Sequence, residues 1–205
     1  MKRLLTIITV LTALGTSASA ARPGSRLTFG AEWGFNAQVI DYHRFTYKDQ
    51  YGSIVPDRHD GFAYNGNLYI LLNAGVTVSD RSVVSLQSGI EGIAKNRNII
   101  PVRLKYSFLP SGVMSDGALL FAAAGVGFPG DRHSTPVPSI GGQVGAGYRK
   151  NLAGKTNIEF FGSFKATYDH PGIIDKASGE YVPVSRIIKN DAFYGSVSVG
   201  LAVNF

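Results

Sequence analysis

The chain has 205 residues, with 20 Lys and Arg against 14 Asp and Glu, no cysteine and 44% apolar side chains. That length suits one domain with a short targeting segment, and the lack of cysteine excludes a disulfide scaffold, a thiolate metal site and a cysteine nucleophile. The basic residues are scattered and form no run, which argues against nucleic acid as a partner.

Residues 1–20 have the layout of a cleavable secretory signal peptide, and 21–205 are read as one domain. Lys2 and Arg3 make a basic start, Leu4 to Leu14 an apolar run relieved only by threonines, and Ala18-Ser19-Ala20 places small residues where a signal peptidase reads. The run of 11 residues is too short to span a bilayer as a helix. No cysteine follows it to carry a lipid anchor. Beyond residue 20 no stretch reaches the ~18 apolar residues of a transmembrane helix.

Downstream, the recurrent signal is a period of two. Residues 27–39 set Leu27, Phe29, Ala31, Trp33, Phe35, Ala37 and Val39 against Thr28, Gly30, Glu32, Gly34, Asn36 and Gln38. Residues 64–78 keep alternating for fifteen positions, long for a soluble strand and long enough to cross a membrane at a tilt. The pattern returns over 84–94 and 100–108. Residues 118–128 are apolar on both faces and are read as a strand from their length and neighbours. Alternation resumes over 140–148, 158–168 and 193–205. The links are rich in Gly, Pro, Asp, Asn and Ser. The expected fold is all-β: a closed antiparallel up-and-down transmembrane β-barrel of about eight strands. Both termini then share one end, and 41–63 and 169–191 become long loops at the other. A three-residue turn at Asn96-Arg97-Asn98 would place Glu91 opposite Arg103, an unlike-charge pair on the polar face.

Alternation alone does not separate a soluble barrel with an apolar lining from a membrane barrel with an apolar exterior. The polar face is rich in glycine (Gly30, Gly34, Gly75, Gly89, Gly145, Gly147 and Gly200 among them), which suits a crowded narrow interior. The apolar face is bulky, with aromatics such as Phe29, Tyr64, Phe108, Tyr148, Tyr168 and Phe193 near strand ends, as interfacial girdles require. Export to the outer membrane is the expectation; a soluble periplasmic ligand-binding barrel is the inverse assignment.

The terminal strand Val197 to Phe205 ends on an aromatic, and Ile100-Pro-Val-Arg-Leu-Lys-Tyr-Ser-Phe108 is a strand of the same style. With the leader and the eight segments, the chain resembles the small eight-stranded outer-membrane barrels of Gram-negative bacteria, and the outer-membrane β-barrel domain family of Bacteroidetes-type organisms in particular. The resemblance implies outer-membrane lipid and the barrel-assembly machinery as partners. It also implies that Phe205 is the C-terminal signal for that machinery.

The charged side chains on the polar face are Glu32, Glu91 and Glu159 with Arg103, Lys105 and Lys165. Three acids and three bases suggest a neutral interior network, read either as a polar plug that stiffens the barrel or as a proton or ion path. His43, His59, His133 and His170 fall in the expected loops, each near an aspartate but without zinc-motif spacing, so neither metal nor cofactor is expected. Arg132-His133-Ser134-Thr135 invites comparison with outer-membrane lipid A deacylases, which are similar in strand number and use His-x-Ser-Asn. Here Ser134 directly follows His133, so on a strand the two would point to opposite faces, and no matching acid is evident. The expected loops hold Tyr42, Phe45, Tyr47, Tyr51 and Phe62, then Ile173, Ile174, Tyr181 and Val182. Such side chains either bind an extracellular protein or glycan, or let strands extend and pack loop on loop. The sequence points to a non-enzymatic barrel with a structural or surface-interaction role. It leaves a lipid-modifying enzyme and a barrel subunit of a larger secretion or conjugation machine as alternatives.

Overall fold

A computed structural model describes residues 27–205 apart from 63, 96, 131–135 and 153–155. The segment read as a signal peptide lies outside the described residues. Alternating side chains drive the backbone into strands because only a period of two sorts polar and apolar groups onto opposite faces. The strands are β1 Leu27–Lys48, β2 Ile54–Gly61, β3 Asn65–Ser79, β4 Ser82–Ala94, β5 Arg97–Phe108, β6 Gly117–Pro129, β7 Ser139–Asn151, β8 Asn157–Asp169 and β9 Ile187–Asn204. All pairings are antiparallel.

Eight of these strands, β1 and β3 to β9, close into a barrel, and β2 is an addition. The closing seam pairs β1 with β9 from Gly30–Asn204 to Tyr47–Ile187. At its end the N–H groups of Phe29 and Phe205 each donate to the other's carbonyl, at 3.2 and 2.7 Å. A walk along the register from Thr28 through Gly75, Ser85, Lys105, Ala123, Gln143, Lys165 and Ser196 returns to β1 at Gln38, ten residues further on. For eight strands that stagger fixes a tilt of about 40° from the barrel axis.

Three sequence expectations change here. Residues 41–63 are not a loop. β1 continues to Lys48 and turns back into β2, with His43 opposite His59 and Tyr47 opposite Val55, so the hairpin stands above β3 on the same side of β1. Likewise β9 begins at Ile187, well before Phe193. Finally, the β4–β5 turn is tighter than expected. Ala94 pairs with Arg97, a register shift follows between Gly92 and Ala94, and Glu91 lies opposite Ile99 while Arg103 lies opposite Gln87. The shift moves the pairing by four positions, yet the tilt lets the long Arg103 side chain reach Glu91 diagonally.

Another irregularity, between Gln38 and Ile40 on the β1–β9 seam, reverses the facing of β1. Below it the even-numbered residues Glu32, Asn36 and Gln38 are buried; above it the odd-numbered Tyr47 is. The reversal turns Asp41, His43, Phe45 and Tyr47 inward over the barrel mouth. Tyr47 there joins Ile173 and Val182 in a buried cluster, with Phe45, Val55 and Ile187 against it. The 170–186 connection is folded onto this cluster, with Val182 N–H donating to Ile173 at 2.8 Å. Of the two readings of the loop side chains, these residues take the packed one, while Tyr51 and Phe62 stay exposed.

Candidate functional site

The six charged side chains singled out from the sequence are all buried inside the barrel. Lys105 Nζ donates to Glu32 Oε2 at 2.8 Å, and Gln87 Nε2 donates to the same oxygen at 2.9 Å. One layer towards the loop end, Glu91 accepts from Lys165 at 2.8 Å, from Asn36 at 3.0 Å and from Arg103. The cations also rest on rings. Lys165 Nζ lies 3.8 Å from the Tyr69 centroid, and Lys105 Nζ lies 4.5 Å from that of Phe121 and 5.1 Å from that of Phe161. Glu159 takes a different partner, Arg149, whose Nε donates at 3.0 Å.

Arg149 lies one residue beyond the sixth expected segment, 140–148, and so falls outside the expected set. One more step of the same period (Gly145, Gly147, Arg149) would have found it. Arg97 likewise falls in the expected turn at Asn96-Arg97-Asn98. It is buried in β5 and holds Asp169 through two hydrogen bonds, at 2.6 and 2.7 Å. The interior is therefore not a set of three acids and three bases. Among the described residues it holds Glu32, Glu91, Glu159 and Asp169 against Arg97, Arg103, Lys105, Arg149 and Lys165. Burial leaves such groups tolerable only when paired, and all five of these cations sit on carboxylates, in four separate clusters, with Arg103 and Lys165 sharing Glu91.

Apolar layers sit towards both ends. Ile93, Ala94, Ile99, Ala192 and Tyr194 pack together near the loop end. Val83, Leu109, Val113, Leu119, Phe121, Phe161 and Ala202 do so near the end that holds Phe205. This second layer explains why 118–128 is apolar on both faces: β6 supplies Leu119, Phe121 and Ala123 to the interior. Glycine makes room for the rings. At Gly200 a Cβ would meet the Tyr69 hydroxyl and the Phe161 ring, and at Gly145 the Phe121 ring. Beside the lower layer a cavity of about 580 Å³ remains, with Lys105 and the Arg149–Glu159 pair in its wall.

The histidines are divided. His43 and His59 oppose each other on β1 and β2 rather than in loops. His43 Nε2 lies 2.8 Å from Asn190 Oδ1, and burial pulls its pKa below the ordinary 6.5. His170 Nδ1 is hydrogen-bonded to the Asn190 carbonyl. His133 and Ser134 lie outside the described residues. Among the described residues no group of three or more His, Cys, Asp or Glu side chains is placed to hold a metal. Outside the wall, Asp57 is held below the usual carboxylate range by Lys176, 2.5 Å away, which ties β2 to the 170–186 connection.

No family model matches the chain, and no curated protein matches it. Among solved structures, the Salmonella SPI-1 type III secretion injectisome secretin InvG (residues 176 to the end, open gate state) aligns at 8% identity and a TM-score of 0.19. The alignment covers 96% of this chain and 64% of the secretin chain. That score is too low for a shared fold.

Proposed function

We propose that this chain is a non-enzymatic integral outer-membrane barrel with a structural or surface-interaction role at its loop end. The reversal of polarity across the wall carries the reading. Charged and amide side chains are buried inside, while Leu68, Ile70, Leu104, Ile140 and Val199 are 60% or more exposed outside. A soluble barrel has the opposite arrangement, and an exterior of this kind is stable only against another apolar phase. On β8 the outward row runs from Ile158 to Tyr168. At the tilt given above, its ten steps make an apolar band about 25 Å high, the height of a bilayer-facing band. Tyr106 and Tyr148 near one margin and Tyr168 and Phe193 near the other suit the two interfaces.

The partners that follow are outer-membrane lipid around the band, the barrel-assembly machinery through the exposed Phe205, and an extracellular protein or glycan at the loop end. Tyr51 and Phe62 offer exposed aromatic surface there. The test is fractionation of cells expressing the full-length chain, followed by electrophoresis of the membrane fraction with and without boiling. The expected result is an outer-membrane protein whose mobility changes on boiling. Recovery as a soluble periplasmic protein would overturn the reading.

A further inference from the structure

We propose that the cavity at the end holding Phe205 binds an uncharged, amide-bearing sugar, of which an N-acetylated amino sugar is the simplest example. The proposal goes beyond the function above and does not depend on where the barrel resides. The cavity, about 580 Å³, falls within the range of small-molecule sites.

Its lining defines the chemistry of the ligand. Lys105 and Arg149 are the cations in the wall, and each is already neutralised, Lys105 by Glu32 and Arg149 by Glu159, which shares the wall with it. Arg149 spends a further donor on the Val113 carbonyl, at 3.2 Å. The remaining acid of the lining, Asp80, is exposed in the β3–β4 turn. A ligand with a bare charge would thus lose its hydration without gaining a counter-charge.

Neutral groups make up most of the rest. The hydroxyls of Thr28, Ser85 and Ser107 and the carboxamides of Asn73, Asn151 and Asn157 belong to the wall. Hydroxyls donate and accept, and carboxamides match both hydroxyl and amide partners. Asn151 belongs to the wall and its Nδ2 is buried with no hydrogen-bond partner; turned towards the cavity, that donor suits an acyl oxygen. Val83 and Val113 add an apolar patch of the kind that packs against the C–H face of a sugar ring. Hydroxyl, amide and C–H recognition in one cavity open at the barrel end, with the charges already neutralised, fits an N-acylated sugar better than an ion or a lipid.

The test titrates the full chain, refolded in detergent micelles, with the disaccharide of N-acetylglucosamine while backbone amide resonances are followed. Saturable shifts confined to the lining strands are expected, at Asn73, Ser85 and Asn157 among others. Thr77→Trp and Ser107→Phe, both on the cavity wall, should each weaken binding at least tenfold, and Asn151→Ala severalfold with the fold intact. Glucosamine, a cation, and glucuronic acid, an anion, should bind at least tenfold more weakly. Three results would overturn the proposal: no saturable shift up to about 10 mM, beyond the millimolar range set for so small a ligand; binding unchanged by the substitutions; or equal binding of the charged sugars. Because the titration needs only the folded barrel, its outcome is independent of the fractionation result.

Discussion

Glu91 accepts from Arg103, Lys165 and Asn36 at once, so its charge holds two buried cations apart. Glu91→Gln keeps the volume and removes the charge. It should destabilise the barrel by about 3–5 kcal/mol, read as a lower urea midpoint for the protein refolded in micelles. Adding Lys165→Met should recover part of that loss, since one stranded cation goes with it. Gly200 tests packing rather than charge. A methyl there runs into the Tyr69 hydroxyl and the Phe161 ring, so Gly200→Ala should cost about 1–3 kcal/mol. Tyr69→Phe in the same background should return some of it by removing the hydroxyl, and thermal melts of the single and double variants decide the point. At this scale the sequence was legible wherever the period of two ran unbroken, which is why Glu32, Glu91, Arg103, Lys105, Glu159 and Lys165 could be named. The pairing of Glu91 with Arg103 was legible but its register was not, since Arg103 reaches Glu91 from four positions away. The partner of Glu159 was not legible: it pairs with Arg149 rather than with a residue of the expected set, because tilt and side-chain length choose the contacts.

β1 shows what one irregular step does to an element. Straight alternation would carry Ala37 and Val39 on to Asp41 and His43 on the outer face; the shift between Gln38 and Ile40 turns those later residues inward instead. Nothing in the residue types marks the position, since one extra residue in a strand carries no composition of its own. The extension of β1 into a hairpin with β2 was hidden for a related reason: its residues are mixed in polarity because one face packs on the 170–186 connection and the other meets water. His43 makes this element sensitive to acid. Its neighbours are Asn190 across β9, His59 on β2, and the more distant Asp41 and Asp169. Its folded pKa lies below the ordinary 6.5, burial outweighing the Asn190 contact. The folded hairpin therefore favours the neutral ring. The stability this supplies is fully present above pH 6.5 and is lost as the pH falls from there through the lower folded value. Proteolysis of the 170–186 connection should accelerate at pH 5 relative to pH 8, and His43→Asn should flatten that dependence.

Over the whole molecule, the ten-residue stagger, the outward apolar rows and the layered interior describe a sealed cylinder. The Glu91 ion-pair layer and the Phe121–Phe161 layer occupy the interior at different heights, so reconstitution into a planar bilayer should give no stepwise conductance at neutral pH. Discrete steps would show that the interior opens. The eight barrel strands and their up-and-down order were readable because seven repeat the same simple pattern and the eighth, β6, fits between them by its length and neighbours, and strand number follows from counting. The additional strand β2 was not, since it lies beyond the barrel where that pattern lapses. The seam between Phe29 and Phe205 has a consequence of its own. With the last strand bonded to the first, the order of the eight barrel strands is a cycle, and none of them is an edge; only the added β2 has a free side. Which strand comes first in the chain is then a fact about synthesis and not about the folded object: a chain opened at the Asp80-Arg81 turn and joined across the seam would describe the same ring.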